Sequence, residues 1–295
     1  MESMAYYAPK SIEELAEILA REKAGAKILA GGTDVVIQLR EQKINPKCIV
    51  SLKFVQKLKG IKEQTGKIMV GPMTTFTELA EAPLIREKAF LLAQAAASVG
   101  SPQIRNAGTV GGNIANASPA GDTIPALIAL DAVLTIASTR GERQMPLKDF
   151  FLGIGKNKLE ADEFVKLITF DALSKMCGSA FVKLGRRNAL AISRISMAAI
   201  VGYSPESNIV TDCRISAGSV AQNPFRLQKT EKVLLGSKLT LEAVEKSVST
   251  AFEELSTTLG QRASAIYKKK AAPVLVHRAL NQAIGQIYTD WEQKA

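Results

Sequence analysis

Two glycine-rich segments hold the residue types best suited to chemistry: Ala30-Gly31-Gly32-Thr33-Asp34-Val35, and a longer run from Gly108 to Asp122. The first follows the short apolar run Lys27 to Ala30 and precedes the apolar-periodic stretch Val35 to Arg40, so it sits at a strand-to-helix junction. Backbone N–H groups at such a junction lack intrahelical partners, glycine removes the Cβ atoms that keep an anion away, and the helix start adds partial positive charge. The turn therefore suits a diphosphate. It is neither a G-x-G-x-x-G fingerprint nor a G-x-x-x-x-G-K-[ST] loop, and strand-to-helix turns also use glycine for geometry alone.

The second segment supplies four glycines, two asparagines, Thr109, Ser118 and the carboxylate of Asp122, with little bulk beyond Val110 and Ile114. Small residues allow close backbone approach to a ligand, and the polar side chains can bond phosphate or sugar hydroxyls. The alternative is a long ordered loop that bridges two sheets.

Read together, Ser101 to Asn113 and Ala30 to Asp34 resemble the FAD-binding subunit of molybdenum hydroxylases, the xanthine dehydrogenase and carbon monoxide dehydrogenase family. The resemblance continues through Ser179 to Arg187, Gly218 to Arg226 and Val274 to Leu280, and so covers nearly the whole chain. It implies an α+β fold: a two-part, PCMH-like FAD-binding domain over residues 1–175, then a smaller α+β domain over 176–295 with an antiparallel sheet and C-terminal helices. It also implies a noncovalent FAD. Ile28, Leu29, Ala30, Gly31, Gly32, Thr33, Asp34 and Val35 would lie along the diphosphate, and Thr109, Val110, Gly111, Gly112 and Asn113 would form the opposing loop. Asp122 would accept bonds from sugar or ribityl hydroxyls, or else cap the helix that starts at Thr123. Val165 and Ala115 would flank the isoalloxazine ring, although either suits ordinary core. Lys183 would polarise the N1 and C2=O edge of the flavin; a shift of one position puts Val182 there instead.

By the same resemblance, the chain collects electrons from an iron-sulfur subunit, itself served by a molybdenum-cofactor subunit, and passes them to an acceptor. The segment Leu184 to Arg194 would pass the open flavin face, and its three arginines favour NAD as that acceptor. The run Leu29 to Val35 looks more like bacterial xanthine dehydrogenase than carbon monoxide dehydrogenase, so purine hydroxylation is the expected activity of the complex. Some family members carry an inserted iron-sulfur cluster in this subunit; the thiolates for it are absent from this sequence.

The elements that must position these residues are legible in outline. Ser11-Ile12-Glu13-Glu14 is a capping-box pattern opening a helix with Ile12, Leu15, Ile18 and Leu19 on one face. Strands are expected at Lys27 to Ala30 and Cys48 to Leu52, giving a β-α-β-like unit. Further strands at Lys67 to Gly71, Ala132 to Ala137 and Glu163 to Ile168 suggest antiparallel pairing, with helices over Thr77 to Glu81 and Ile85 to Ser98. The aperiodic stretch Phe150 to Lys158 has the look of a functional loop. Beyond a link at Leu173 to Cys177, strands at Ala180 to Leu184, Ile195 to Gly202 and Ile209 to Ala217 precede helices beginning near Pro224, Thr240 and Arg262.

Composition narrows the function classes. The 295 residues carry a net charge of +10, and from Ser174 onward there are 17 basic and 9 acidic side chains. Aromatics are scarce and no stacking platform or zinc module accompanies this charge, which argues against nucleic acid. Cys48, Cys177 and Cys213 are far apart, which disfavours a disulfide framework or a clustered thiolate site, and His277 is the single histidine. No apolar run reaches membrane-spanning length and no signal-peptide pattern opens the chain, so a cytoplasmic location is expected. Two other readings stay open: a self-sufficient FAD oxidase or reductase, which needs its own acid or base, and a scaffold module that has lost the flavin.

Overall fold

The computed structural model describes residues 4–187, 190–260 and 265–288. The chain opens with β1 (Ala5–Tyr7), α1 (Ile12–Glu22), β2 (Ala26–Leu29), α2 (Val35–Arg40) and β3 (Cys48–Ser51). These strands form a parallel sheet in the order β1-β3-β2, with β3 buried along its whole length. Ser11 caps α1 by accepting from the Glu14 N–H at 3.1 Å, but the expected capping box is not reciprocal, because the Glu14 carboxylate accepts from Lys10 N–H instead. Leu15, Ile18 and Leu19 of α1 bury against Val50, Leu52 and Phe164, which fixes the helix that leads into β2.

The next stretch contains β4 (Ile61–Gln64), β5 (Lys67–Val70), α3 (Phe76–Glu81), α4 (Pro83–Lys88), α5 (Phe90–Ala97), α6 (Pro102–Ala107), α7 (Val110–Asn116) and α8 (Thr123–Ala129). It continues with β6 (Val133–Ser138), β7 (Gly141–Pro146), β8 (Phe151–Gly153), β9 (Lys156–Asn157) and β10 (Phe164–Asp171). The antiparallel sheet has the order β4-β5-β10-β6-β7, so β10 lies between β5 and β6, which do not pair with each other. The single helix expected over Ile85 to Ser98 is divided at Ala89, whose backbone (φ −157°, ψ 54°) is not helical.

The last stretch holds β11 (Cys177–Leu184), β12 (Ile195–Ser204), β13 (Ile209–Gly218), β14 (Phe225–Arg226), α9 (Gln228–Leu234), α10 (Leu241–Leu259) and α11 (Ala265–Ile287). The helix start expected at Arg262 lies outside the described residues. The four strands form an antiparallel sheet in sequence order, buried on both faces. Ala180, Val182, Met197, Ala199 and Val201 pack with α10 and α11, while the alternate positions Phe181, Ala198 and Ile200 join the core of the preceding stretch. Strand alternation thus attaches one sheet to two cores.

Side chains reinforce that junction. The Phe181 N–H donates to Gln94 Oε1 at 2.9 Å, and Arg226 pairs with Asp131 at 2.8 Å. The fold is α+β, as expected, and no helix among the described residues is long and apolar enough to cross a membrane.

Candidate functional site

Both glycine-rich segments open onto one cleft of about 520 Å³, within the usual size of a ligand pocket. Its first wall is the β2-to-α2 turn. There the N–H groups of Gly31, Gly32, Thr33 and Asp34 donate to no protein acceptor among the described residues, and the Val36 N–H is the first to return, to Gly32 O at 3.1 Å. With Val35, whose N–H is also free, five successive residues with free donors line the cleft, a run suited to an anion. Gly32 makes the turn possible by adopting φ +77°, a left-handed conformation that side chains resist.

The second wall corrects the expectation of a loop. Thr109 to Asn113 instead open helix α7, capped by Thr109 Oγ1, which accepts from the Gly112 N–H at 3.1 Å. Val110 and Ile114 are fully buried one helical turn apart, so this glycine-rich stretch does contribute to the core.

The glycines also have a different reason than ligand access. A Cβ on Gly31 would lie 1.9 Å from the Ala107 carbonyl oxygen, and one on Gly111 would lie 2.4 Å from Pro72 Cβ and 2.7 Å from its carbonyl. Both are needed where protein backbone meets protein. At Gly112 an added Cβ would lie 2.9 Å from its own cap, Thr109 Oγ1, and 3.6 Å from Ala30 Cβ, where the two segments face each other.

Of the residues expected at the cofactor, Ile28, Ala30, Gly31, Gly32, Thr33, Asp34, Val35, Thr109, Gly111, Gly112, Asn113, Ala115 and Val165 line this cleft. Leu29 and Val110 do not; Val110 is fully buried, the ordinary outcome for an apolar residue on the inner face of a helix. Asp122 and Lys183 are also away from the lining and meet each other, Nζ to Oδ2, at 2.5 Å. Lys183 further donates to Ser98 O at 3.0 Å, and Ser193 Oγ donates to Asp122 Oδ1. Asp122 makes no capping bond to α8. Burial pushes its carboxyl above the ordinary range, while Lys183 and then Ser193 oppose that rise. Val182, the alternative to Lys183, is buried in the C-terminal core.

Sequence reading missed the floor and had only parts of the third wall, Val165 and the aperiodic stretch Phe150 to Lys158. Pro72, Met73 and Phe76 lie beneath the glycine segments, and Val99 and Ile104 add apolar surface. The third wall runs from Gly155 to Val165 through the hairpin β8-β9 and the start of β10. The cleft therefore combines anion donors on one side, apolar walls suited to a flat ring, and the polar side chains of Asp34 and Asn116, which suit hydroxyl groups. The donor set and shape fit a dinucleotide carrying an aromatic ring.

The segment Leu184 to Arg194, expected beside the flavin, contributes no described residue to the cleft lining; Asn188 and Ala189 lie outside the described residues. Arg187 folds back, donating from Nε and Nη2 to Leu190 O at 3.2 and 2.7 Å. Arg194 lies over the Tyr267 ring, 5.9 Å from its centroid. Arg186 has no partner among the described residues.

Comparison with known proteins agrees over the length of the chain. Residues 2–170 match the family described as FAD binding domain in molybdopterin dehydrogenase, and residues 179–283 match the CO dehydrogenase flavoprotein C-terminal domain. The chain is 36% identical over 275 residues to the nicotinate dehydrogenase FAD-subunit of Eubacterium barkeri, covering 92% of this chain and 93% of that one. It is 31% identical to the xanthine dehydrogenase FAD-binding subunit of Escherichia coli O157:H7, covering 95% and 96% of the two chains. The solved carbon monoxide dehydrogenase from Hydrogenophaga pseudoflava that lacks the Mo-pyranopterin moiety superimposes with a TM-score of 0.89 at 30% identity, covering 96% of this chain and 98% of that chain.

Proposed function

The chain belongs to the family of FAD-binding subunits of molybdopterin dehydrogenases, and from that premise we propose that it is the electron-transfer flavoprotein of a molybdenum hydroxylase complex. Its partners in this reading are an iron-sulfur subunit and a molybdenum-cofactor subunit. The observation that carries the proposal is the cleft itself, lined both by the residues with free N–H groups from Gly31 to Val35 and by the glycine-rich start of α7.

FAD supplies the capacity to accept electrons singly and release them in pairs. The protein's own contribution is binding and placement. The N–H groups of Gly31 to Asp34 hold the diphosphate, and Asp34 and Asn116 serve sugar or ribityl hydroxyls. Ala115 and Val165 flank the ring from α7 and β10. Asp122 and Lys183 hold α8 to β11 and so keep the two parts of the chain in register. We assign residues 1–175 to the cofactor domain and 176–295 to the second domain, supported by the change of sheet across the Ala172 to Met176 link. A cytoplasmic location belongs to the same proposal.

For the complex as a whole we favour oxidation of a nitrogen heteroaromatic, purine-like, with NAD as acceptor. Relatives named for nicotinate and xanthine support that substrate class, and Arg186, which has no partner among the described residues, supports a phosphate-bearing acceptor. An absorbance spectrum of the purified full chain, taken before and after xanthine or nicotinate is added, tests the core of this reading. The expected result is a flavin spectrum that neither heterocycle bleaches until the partner subunits are supplied. A colourless chain that takes up no FAD overturns the proposal, and bleaching by substrate with this chain alone favours a self-sufficient oxidase.

A further inference from the structure

The third wall of the cleft is a strap, residues 155–165, that no sequence motif marks. It presents Asn157, Leu159, Glu160, Ala161, Glu163 and Val165 to the cleft. At its start, Asn157 Nδ2 donates to Ala115 O at 2.7 Å and the Gly155 N–H donates to Ala117 O at 3.0 Å, which ties the strap to α7. At its far end the hold comes from the edge strand β7 and the turn before it. Arg143 donates from Nε and Nη2 to the two oxygens of Glu163, both at 2.7 Å, and from Nη2 to Lys158 O at 2.8 Å. Arg140 adds a bond to Glu160 at 2.8 Å and a contact with Asp162.

Sheet register explains why this fork matters to the cleft. Arg143 pairs with Ile136 across β7 and β6, and Ile136 pairs with Val165 across β6 and β10, so Arg143 and Val165 share one rung of the sheet. Glu163 stands two residues before Val165, immediately ahead of the start of β10. Its side chain is 5% exposed and also accepts from the Glu160 N–H at 2.9 Å. One guanidinium therefore fixes a carboxylate beside the expected ring wall and, through Lys158 O, the backbone of the strap. A planar fork does this with a geometry that an ammonium group cannot reproduce.

We propose that Arg143, acting through Glu163, is a positioning residue that sets the strap and Val165 against the isoalloxazine end of the cofactor. The inference rests on reading the cleft as the FAD site. The ring end, rather than the diphosphate end, depends on it, because the diphosphate donors belong to a different wall, the β2-to-α2 turn, with which the fork makes no bond.

The test uses the full-length chain freed of cofactor, carrying Arg143→Lys, Glu163→Gln or both. FAD is titrated by flavin fluorescence, ADP is titrated as a competitor that has the diphosphate but no flavin ring, and circular dichroism checks the fold. Each single variant is expected to stay folded and bind FAD about tenfold more weakly, with ADP affinity unchanged and the double variant no worse than the weaker single one. Wild-type affinity for FAD in both variants overturns the inference and leaves the cofactor reading intact. Equal loss of FAD and ADP also overturns it, since the fork would then support the fold at large. Failure of the unmodified chain to bind FAD removes the cofactor reading, and this inference falls with it.

Discussion

The side-chain amide of Asn116 donates to the Asp34 carboxylate at 3.2 Å, joining across the cleft two segments that lie 82 residues apart. Asp34 closes the first glycine segment and Asn116 ends α7, so this bond spans the two walls directly. Neither residue is buried in the core, so the bond can change without removing apolar packing. Asn116→Leu is expected to weaken FAD binding severalfold while lowering stability by no more than about 1 kcal/mol, the usual net value of one hydrogen bond. Fluorescence titration and thermal unfolding on the same samples check both halves. A stability loss several times larger, with FAD affinity unchanged, would assign the bond to the fold alone.

The glycines separate into two classes that substitution can distinguish. At Gly31 and Gly111 an added Cβ meets backbone, at 1.9 Å from Ala107 O and 2.7 Å from Pro72 O. Valine at either position should cost the native fold, seen as lost near-ultraviolet circular dichroism and insoluble protein. Gly32 is different: its nearest obstacles are side-chain atoms of Val36 and Leu29 at 3.3 and 3.4 Å, and its φ of +77° is the main cost. Gly32→Ala should give a folded chain, destabilised by roughly 1–2 kcal/mol, that no longer keeps FAD through gel filtration. A yellow Gly32→Ala chain after that step would remove this turn from the cofactor's binding site.

Much of this was legible because local signals agreed with tertiary demands. Lys27 to Ala30, the glycine turn and Val35 to Arg40 appear as strand, turn and helix, and the alternation at Ala180 to Leu184 marks a strand. The second glycine segment misled for a physical reason. Gly111 and Gly112 each disfavour a helix by about 1 kcal/mol against alanine, so propensity points to a loop. Burial of Val110 and Ile114 and the Thr109 cap outweigh that cost. Asp122 and Lys183 each carried a ligand role by position, but their pairing joins residues 61 apart and has no local sequence signal. The hold on the strap was invisible for the same reason, since Arg143 and Glu163 look like solvated charges until the sheet register brings them together.

Two buried carboxyls should shape the pH dependence of stability in opposite directions. Hydrogen bonding to Arg143, the largest influence, holds Glu163 below the ordinary carboxylate range. Its stabilisation is present above its unfolded pKa and is lost as pH falls through the lower folded value. Asp122 is raised, chiefly by burial, so its contribution is complete below the unfolded pKa and is lost as pH rises through the folded one. Glu163→Gln should therefore flatten the acid side of a stability-pH curve, and Asp122→Asn should flatten the rise in unfolding tendency above the usual carboxylate pKa. Urea midpoints measured across pH for the three proteins check this. Curves parallel to wild type in both variants would show that neither carboxyl is linked to folding.

The electron acceptor offers the sharpest separation between neighbouring arginines. Arg187 is committed to Leu190 O through two nitrogens, and Arg194 rests over Tyr267, whereas Arg186 has no partner among the described residues. If this segment receives NAD, attraction of its diphosphate must come mainly from Arg186, the side chain that gives up no existing bond to make a new one. In the reduced complex, NAD should reoxidise the flavin quickly, with a rate that falls as salt is raised. Arg186→Ala should lower that rate about tenfold at low salt and remove most of its salt dependence. Arg187→Ala should have a smaller effect, coming through the shape of its loop. Stopped-flow absorbance resolves the three proteins directly. If NAD is inert with the wild-type complex while a ferredoxin, a quinone or oxygen is fast, the cationic segment serves another role, and the proposal that the cleft is the FAD site is unaffected by that result.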